Sequence, residues 1–159
     1  MRIYDDVDQA NRRRLDEIVE QEFSDEPLDL VVDDCSHKYK ATRASFNELF
    51  PRLRPGGLYT IEDWGWAHPP PGAELLENMW PDEVPLTRLL FELVLAVPST
   101  AGLISEITIE TELVQVRAET PPSIRAASDL GLLQPTRAAP SGQRPIAGAV
   151  MIEWLDANA

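Results

Sequence analysis

Apolar residues in the first third of the chain follow patterns that predict a helix, a buried strand and a second helix. From about Gln9 to Phe23 they recur every three or four residues, which places them on one face of a helix. After Pro27, the run LDLVVDD is almost continuously apolar until it stops at two carboxylates, which is typical of a parallel strand covered on both faces. A second helix is expected from roughly Lys38 to Phe50.

A glycine turn and another apolar run follow this second helix. Gly56 and Gly57 supply the backbone freedom of a tight turn, and GLYTIED then predicts a strand that ends in Glu62 and Asp63. The order strand, helix, turn, strand is a βαβ unit, whose strands are parallel and whose crossover is right-handed. We therefore predict an α/β fold with a partial Rossmann-like sheet.

The second half of the chain predicts a helix and a hairpin. We expect a loop over Trp64–Pro71, a helix over Pro85–Val97, and strands over Leu103–Glu110 and Glu112–Ala118 that pair as an antiparallel hairpin.

The C-terminal stretch has a different composition. Residues Glu119–Pro145 are rich in Pro, Ala, Ser and Arg without clear periodicity, and the last residues predict a short closing strand or helix. We therefore divide the chain into a partial α/β domain, 1–118, and a partly mobile C-terminal segment, 119–159.

The net charge limits the kinds of partner that the chain is expected to bind, and the single cysteine limits its covalent cross-links. The chain has 159 residues, 27 of them acidic and 14 basic, and a formal net charge of −13. This acidity argues against a nucleic-acid backbone or an anionic membrane as partner, although Arg12, Arg13 and Arg14 form one dense basic cluster. Cys35 is the single cysteine, so no intramolecular disulfide forms. No signal peptide opens the chain, so the expected location is cytoplasmic.

Acidic side chains follow both strands of the βαβ unit. Ligands of open α/β sheets bind beyond the carboxyl ends of the strands, and neighbouring strands lie about 4.8 Å apart, so Asp34, Glu62 and Asp63 are expected to converge. Three hard oxygen ligands suit Mg²⁺ or Ca²⁺, and His37 is a candidate general base beside them. Helix capping and solvated turns are the alternative, structural interpretation of the same acids.

The segment 28–64 resembles a known family. DLVVDDCSH and FPRLRPGGLYTIED are similar to motifs in the C-terminal half of class I S-adenosylmethionine (SAM)-dependent methyltransferases, in particular the metal-dependent macrolide sugar O-methyltransferases and cephalosporin hydroxylase-like proteins. The resemblance implies that Asp34, Glu62 and Asp63 bind Mg²⁺ and that His37 deprotonates the acceptor hydroxyl. It also implies that Asp8, Gln9 and Asp33 lie at the SAM site.

The same resemblance implies a small-molecule partner, a hydroxyl acceptor that is a sugar or a glycosylated natural product.

Two departures from the family pattern leave a second hypothesis open. The first is Cys35, which replaces a glycine of the pattern. The second is that no glycine precedes Gly56, so the first strands of the fold and its glycine-rich cofactor loop are expected to be missing. The chain would then be a non-catalytic binding or oligomerisation module, or act as a homo-oligomer. A Mg²⁺-dependent hydrolase is a third interpretation.

Overall fold

The computed structural model describes residues 7–24, 26–69, 82–100 and 102–119, together with the backbone of 149–153. Three helices, one short 3-10 turn and five strands lie in these ranges. In chain order they are α1 (Arg12–Phe23), β1 (Leu28–Asp34), α2 (Tyr39–Leu49), the 3-10 turn (Phe50–Arg52), β2 (Leu53–Glu62), α3 (Thr87–Ser99), β3 (Ile104–Ile109), β4 (Leu113–Ala118) and β5 (Ala149–Glu153).

The five strands form one mixed sheet in the order β3-β4-β2-β1-β5. β1 pairs in parallel with β2 on one side and with β5 on the other. β4 runs antiparallel to both of its neighbours, β2 and β3. The predicted βαβ unit, the parallel pairing of its strands and the antiparallel hairpin are therefore confirmed.

The two parallel strands end at the same level of the sheet. Asp33 is paired with Ile61, so the residues that follow, Asp34 on β1 and Glu62 on β2, lie side by side at the carboxyl edge. β2 is longer than predicted, because Leu53 already pairs with Leu28, ahead of the glycines. The pairing register shifts between the Leu28–Leu53 pair and the next pair, Leu30–Leu58. The Gly-Gly segment therefore lies inside β2, at an irregularity in the pairing of the two strands.

The hydrophobic core forms where the helices cover one face of the sheet. Phe46 stacks on Phe50 with ring centroids 4.6 Å apart, and Phe46 also contacts Tyr59 at 4.9 Å. The alternating residues Val31 on β1 and Val114 and Val116 on β4 are fully buried in the same cluster. The face of β4 that carries Val114 and Val116 packs into the core, as its alternation predicts. The prediction that β1 is covered on both faces is wrong, because Leu30 and Val32 on its other face are only half-buried. Ile109 of β3, also part of the predicted apolar pattern, is 49% exposed.

The start of α1 differs from the expected position. The sequence pattern places the helix start near Gln9, with Asp8 as a plausible cap. Instead Asn11 caps the helix, because its side-chain oxygen accepts a hydrogen bond from the Arg14 amide at 3.1 Å. The Asp8 carboxylate accepts from the Ala10 amide at 2.8 Å, in the turn that precedes the helix.

Ion pairs neutralise the basic cluster at the start of α1. Arg12 binds Glu48 of α2 at 3.0 Å, and Arg13 and Arg14 lie 3.5 and 3.6 Å from Glu17. The Arg12–Glu48 pair is half-buried and joins α1 to α2, so it holds the two helices together. Arg12 therefore serves helix packing, whereas Arg13 is 85% exposed and, like Arg14, pairs with an acid of its own helix.

Helix α3 is more apolar than the other helices and carries several exposed apolar side chains. Leu89 and Leu93 are buried, whereas Phe91 and Leu95 are 67% and 68% exposed. Within the described part of the chain, no helix is both long enough and apolar enough to cross a membrane.

The proposed mobile stretch 119–145 lies outside the described residues, apart from residue 119. The sequence predicts a short closing strand or helix, and the structure has a strand there, β5, which pairs with β1.

Gly57 provides a direct test of the βαβ geometry. A Cβ at this position would lie 2.9 Å from the carbonyl oxygen of Arg54 and 3.2 Å from those of Leu28 and Asp29, none of which can move without shifting the backbone. We expect Gly57→Ala to lower the free energy of unfolding by about 1–3 kcal/mol, measured by urea denaturation. In Gly65→Ala the new Cβ would meet its nearest atom at an ordinary 3.5 Å, so this control should be close to neutral. Equal stability of the two variants would contradict the described packing.

Candidate functional site

Three side chains converge at the carboxyl edge of the sheet. Asp34 ends β1, Asp63 follows β2, and His37 lies in the loop between β1 and α2; one ligand atom from each lies within 4.8 Å of the others. Nε2 of His37 is 3.9 Å from an oxygen of Asp34 and 3.9 Å from an oxygen of Asp63. These separations exceed a hydrogen bond, so the three groups surround a common space that a small cation would fill.

Both turns that carry this cluster have left-handed backbone conformations. His37 has φ 51° and Asp63 has φ 49°; among the described non-glycine residues only Ser24 shares this property. A residue with a Cβ in this region costs on the order of 1–3 kcal/mol and persists only where its surroundings enforce it. The strain is therefore concentrated at the two residues whose side chains face each other in the cluster.

Hydrogen bonds from neighbouring segments hold the two turns. The indole Nε1 of Trp66 donates to the carbonyl oxygen of His37 at 2.7 Å. The Asp63 amide donates to the carbonyl oxygen of Glu112, in the β3–β4 turn, at 2.7 Å. Trp64 donates to the carbonyl of Glu110 in that same turn at 2.8 Å. The hairpin and the loop after β2 thus position the carboxyl edge.

A buried carboxylate lies directly behind the cluster. Asp33, only 2% exposed, accepts hydrogen bonds from Gln9, Ser45 and Tyr59, each at 2.6 Å. Burial raises the pKa of the Asp33 carboxyl, and the bonds from Ser45, Tyr59 and Gln9 act in the opposite direction. Burial also raises the pKa of the Tyr59 phenol, as does the neighbouring Asp33 charge, so Tyr59 remains a donor.

Gln9 connects this carboxylate to the loop that carries His37. Its amide nitrogen donates to Asp33, and its amide oxygen accepts from the Ser36 hydroxyl at 2.6 Å and the Ser36 amide at 3.2 Å. The side chain is 3% exposed, and its nitrogen also lies 3.2 Å from the Ser45 hydroxyl. One amide therefore joins the segment before α1 to both β1 and the β1–α2 loop.

A cleft of about 940 Å³ opens over the cluster. Its walls come from the segment before α1, the β1–α2 loop, the loop after β2 and the β3–β4 turn. The two tryptophans, Trp64 and Trp66, line it together with Asp8, His37 and Asp63. A polar cluster at the floor and aromatic rings on the walls suit a partly apolar small molecule.

The residues predicted from sequence take different positions in this arrangement. Asp34, His37 and Asp63 come together, and Asp8 and Gln9 line the cleft. Asp33 lies behind the cleft in the buried network, and Glu62 is half-buried on β2 and not part of the three-residue cluster. The roles assigned to all seven remain predictions.

The sequence suggests Trp64 and Trp66 as walls of a substrate pocket, with core packing as the alternative, and both line the cleft. It does not reveal several contacts that organise the site. Ser36, Ser45 and Tyr59 complete the network around Asp33, and Trp66 contacts the His37 carbonyl. Only the contact of Tyr59 could have been recognised from the sequence, because Tyr59 places a hydroxyl at an inward-facing strand position, where a buried polar group needs a hydrogen-bond partner. The other three residues lie in a loop or a helix whose orientation the pattern does not specify.

Cys35 occupies the position where the family pattern has glycine, and the backbone tolerates it. Cys35 is not among the residues with positive φ, so its Cβ causes no backbone strain. Burial raises the pKa of its thiol to about 11, and the charge of Asp33 adds to this effect. The thiol is therefore protonated at neutral pH and a poor nucleophile.

Fold and site together define an α/β protein of the Rossmann-like class with its ligand cleft at the carboxyl edge of a parallel βαβ unit. The comparisons with known proteins agree with this class. Residues 3–64 match a family model described as a methyltransferase domain.

Two curated relatives share the segment that carries the site. Demethylmacrocin O-methyltransferase of Streptomyces fradiae and mycinamicin VI 2''-O-methyltransferase of Micromonospora griseorubida are each 54% identical to this chain over 44 residues. In both cases that segment is 28% of this chain and 11% of the relative.

Solved structures extend the similarity to the fold. The methyltransferase MycE of the mycinamycin biosynthetic pathway, in complex with Mg and SAH, matches with a TM-score of 0.54 and 31% identity, over 72% of this chain and 31% of MycE. MycE with Mg, SAH and mycinamycin VI matches with a TM-score of 0.55 and 29% identity over the same shares. These matches confirm that the chain has part of the methyltransferase fold of MycE, and it spans about a third of the length of that protein.

The network at Asp33 leads to a stability prediction. Tyr59→Phe removes a 2.6 Å hydrogen bond to a fully buried carboxyl group, so we expect the free energy of unfolding to fall by about 1.5–3 kcal/mol. Tyr39→Phe is the matched control, since it removes a 2.6 Å bond to Glu92, which is one-quarter exposed, and should cost about 1 kcal/mol or less. Urea unfolding of both variants makes the comparison, and a smaller loss in Tyr59→Phe would refute the buried network.

Proposed function

We propose that this chain forms part of a Mg²⁺-dependent O-methyltransferase that transfers a methyl group from SAM to a hydroxyl of a sugar or glycosylated natural product. The convergence of Asp34, His37 and Asp63 at one edge of the sheet carries the proposal. All three lie in the methyltransferase-like segment, and His37 and Asp63 line a cleft large enough for a small-molecule substrate.

The geometry of the cluster fits a divalent cation. Ligands on opposite sides of Mg²⁺ or Ca²⁺ are about 4–5 Å apart, and the ligand atoms of the cluster lie within 4.8 Å of one another. Asp34 and Asp63 would hold the ion, with Glu62 as the third carboxylate that the family resemblance implies. A bound divalent ion lowers the pKa of a coordinated hydroxyl and orients it.

His37 is assigned the role of general base. A nitrogen that coordinates a cation cannot also accept a proton, so binding of the ion by carboxylates leaves the imidazole for proton transfer. Nε2 of His37 would accept the proton of the substrate hydroxyl while the oxygen of that hydroxyl forms a bond to the methyl carbon. The carbon–sulfur bond of the sulfonium breaks in the same step, which yields a methyl ether, a neutral thioether and an imidazolium.

Asp8 is the predicted SAM-site residue best placed to contact the donor. It is exposed and lines the cleft, whereas the polar groups of Gln9 and Asp33 are occupied by each other and by neighbouring hydroxyls. We assign Gln9 and Asp33 to the support of the site and Asp8 to the donor side of the cleft. Trp64 and Trp66 would pack against the apolar part of the acceptor or donor.

A non-catalytic binding module is the second candidate. Calorimetric titration of SAM into the chain, in Mg²⁺ and in EDTA, separates the two candidates. Saturable binding supports the methyltransferase, and no binding in either buffer favours the module.

Methyl transfer to mycinamicin VI, a probe chosen from the substrates of the similar proteins, tests the assigned roles. We expect His37→Gln to lower the rate by about 10²–10⁴-fold, as is typical when a general base is removed. Asp34→Asn should weaken Mg²⁺ binding and abolish the dependence of the rate on Mg²⁺.

The second histidine provides the matched control. His68 lies 2.6 Å from the Thr87 hydroxyl and lines the same cleft, but it is not part of the carboxylate cluster, so His68→Gln should keep the Mg²⁺ dependence of the rate. Unchanged methyl transfer in both His37→Gln and Asp34→Asn would show that the roles are assigned to the wrong residues.

A further inference from the structure

We propose that Trp66 and Gln9 are positioning residues that hold His37 in its left-handed conformation, and that they thereby place the imidazole between the two carboxylates. The proposal rests on the function assigned above to the Asp34, His37 and Asp63 cluster. It concerns residues that do not belong to that cluster and that act on it through the backbone of the β1–α2 loop.

The need for such residues follows from the backbone of His37. Its φ of 51° lies in a region that residues with a Cβ rarely occupy. The side chain is 17% exposed and lies at the edge of the cleft. A loop that relaxed to the right-handed region would turn the imidazole away from its position 3.9 Å from each carboxylate.

Trp66 restrains the loop on its C-terminal side. The 2.7 Å bond from its indole nitrogen ends on the carbonyl oxygen of His37 itself and joins residues that are 29 positions apart in sequence. The Trp66 amide lies 3.4 Å from the carbonyl oxygen of Asp63, the other left-handed residue. One residue therefore connects both strained turns, through its side chain at His37 and its backbone amide at Asp63.

Gln9 restrains the loop on its N-terminal side. Its amide oxygen accepts from both the amide and the hydroxyl of Ser36, the residue before His37. Its amide nitrogen is fixed on the buried Asp33 carboxylate, so the glutamine cannot rotate without losing bonds at both ends. Side chains from two different segments thus bind the residue before His37 and the carbonyl group of His37 itself.

Trp66→Phe tests this role, because it removes the indole donor and keeps an aromatic ring. Two properties are measured, the backbone ¹³C chemical shifts of His37 and the affinity for Mn²⁺ followed by electron paramagnetic resonance. We expect the His37 shifts to move toward right-handed values and Mn²⁺ to bind about five- to tenfold more weakly, the effect of one lost hydrogen bond. The midpoint of thermal unfolding reports whether the fold is intact.

Two further variants complete the experiment. Trp64→Phe also removes an indole hydrogen bond at the cleft, but this bond ends on Glu110, so the His37 shifts should stay at wild-type values. Ser36→Ala removes one of the two bonds to Gln9 and should move the His37 shifts in the same direction as Trp66→Phe, by a smaller amount.

The outcomes separate this proposal from the proposed function. If the wild-type chain does not bind Mn²⁺ saturably, the proposed function fails, and the His37 shifts alone still decide the positioning role. His37 shifts that are the same in Trp66→Phe and the wild type, or that move equally in Trp64→Phe, overturn the proposal.

Discussion

A carboxylate buried at the end of a strand needs hydrogen-bond donors on every open side, and at Asp33 these come from three separate parts of the chain. Gln9 precedes α1, Ser45 lies on α2 and Tyr59 lies on β2. The need to satisfy this one charge therefore fixes the N-terminal segment and α2 against β1. The rest of the site depends on it, because the next residue, Asp34, is the first member of the cluster.

The buried Asp33 carboxylate and the neighbouring cluster differ in how closely their polar groups approach one another. Asp33 is surrounded by donors, whereas Asp34, His37 and Asp63 keep distances too long for direct bonds. Two of these three have left-handed backbones, which only the hydrogen bonds from surrounding loops can maintain. Backbone strain and converging carboxylates at the same place are features expected of a ligand site in a rigid scaffold.

The sequence predicted the parts of this architecture that depend on local pattern. The apolar run of β1, the alternation of β3 and β4 and the acids at strand ends were sufficient to predict the βαβ unit, the hairpin and the convergence of Asp34 with Asp63. It did not reveal the contacts of Gln9 or Trp66, because these join segments far apart in sequence. The cap of α1 was also misplaced, since Asp8 and Asn11 are both good capping residues and only the helix start distinguishes them.

The central claim is that Asp34 and Asp63 hold a divalent cation beside His37, and Mn²⁺ in nuclear magnetic resonance tests it most directly. Added in small amounts to the ¹⁵N-labelled chain, Mn²⁺ should broaden the amide signals of residues 34–37 and 62–64 first, and excess Mg²⁺ should restore them. In Asp34→Asn the selective broadening should disappear. Broadening spread evenly over the acidic surface, or unchanged in Asp34→Asn, would contradict the account.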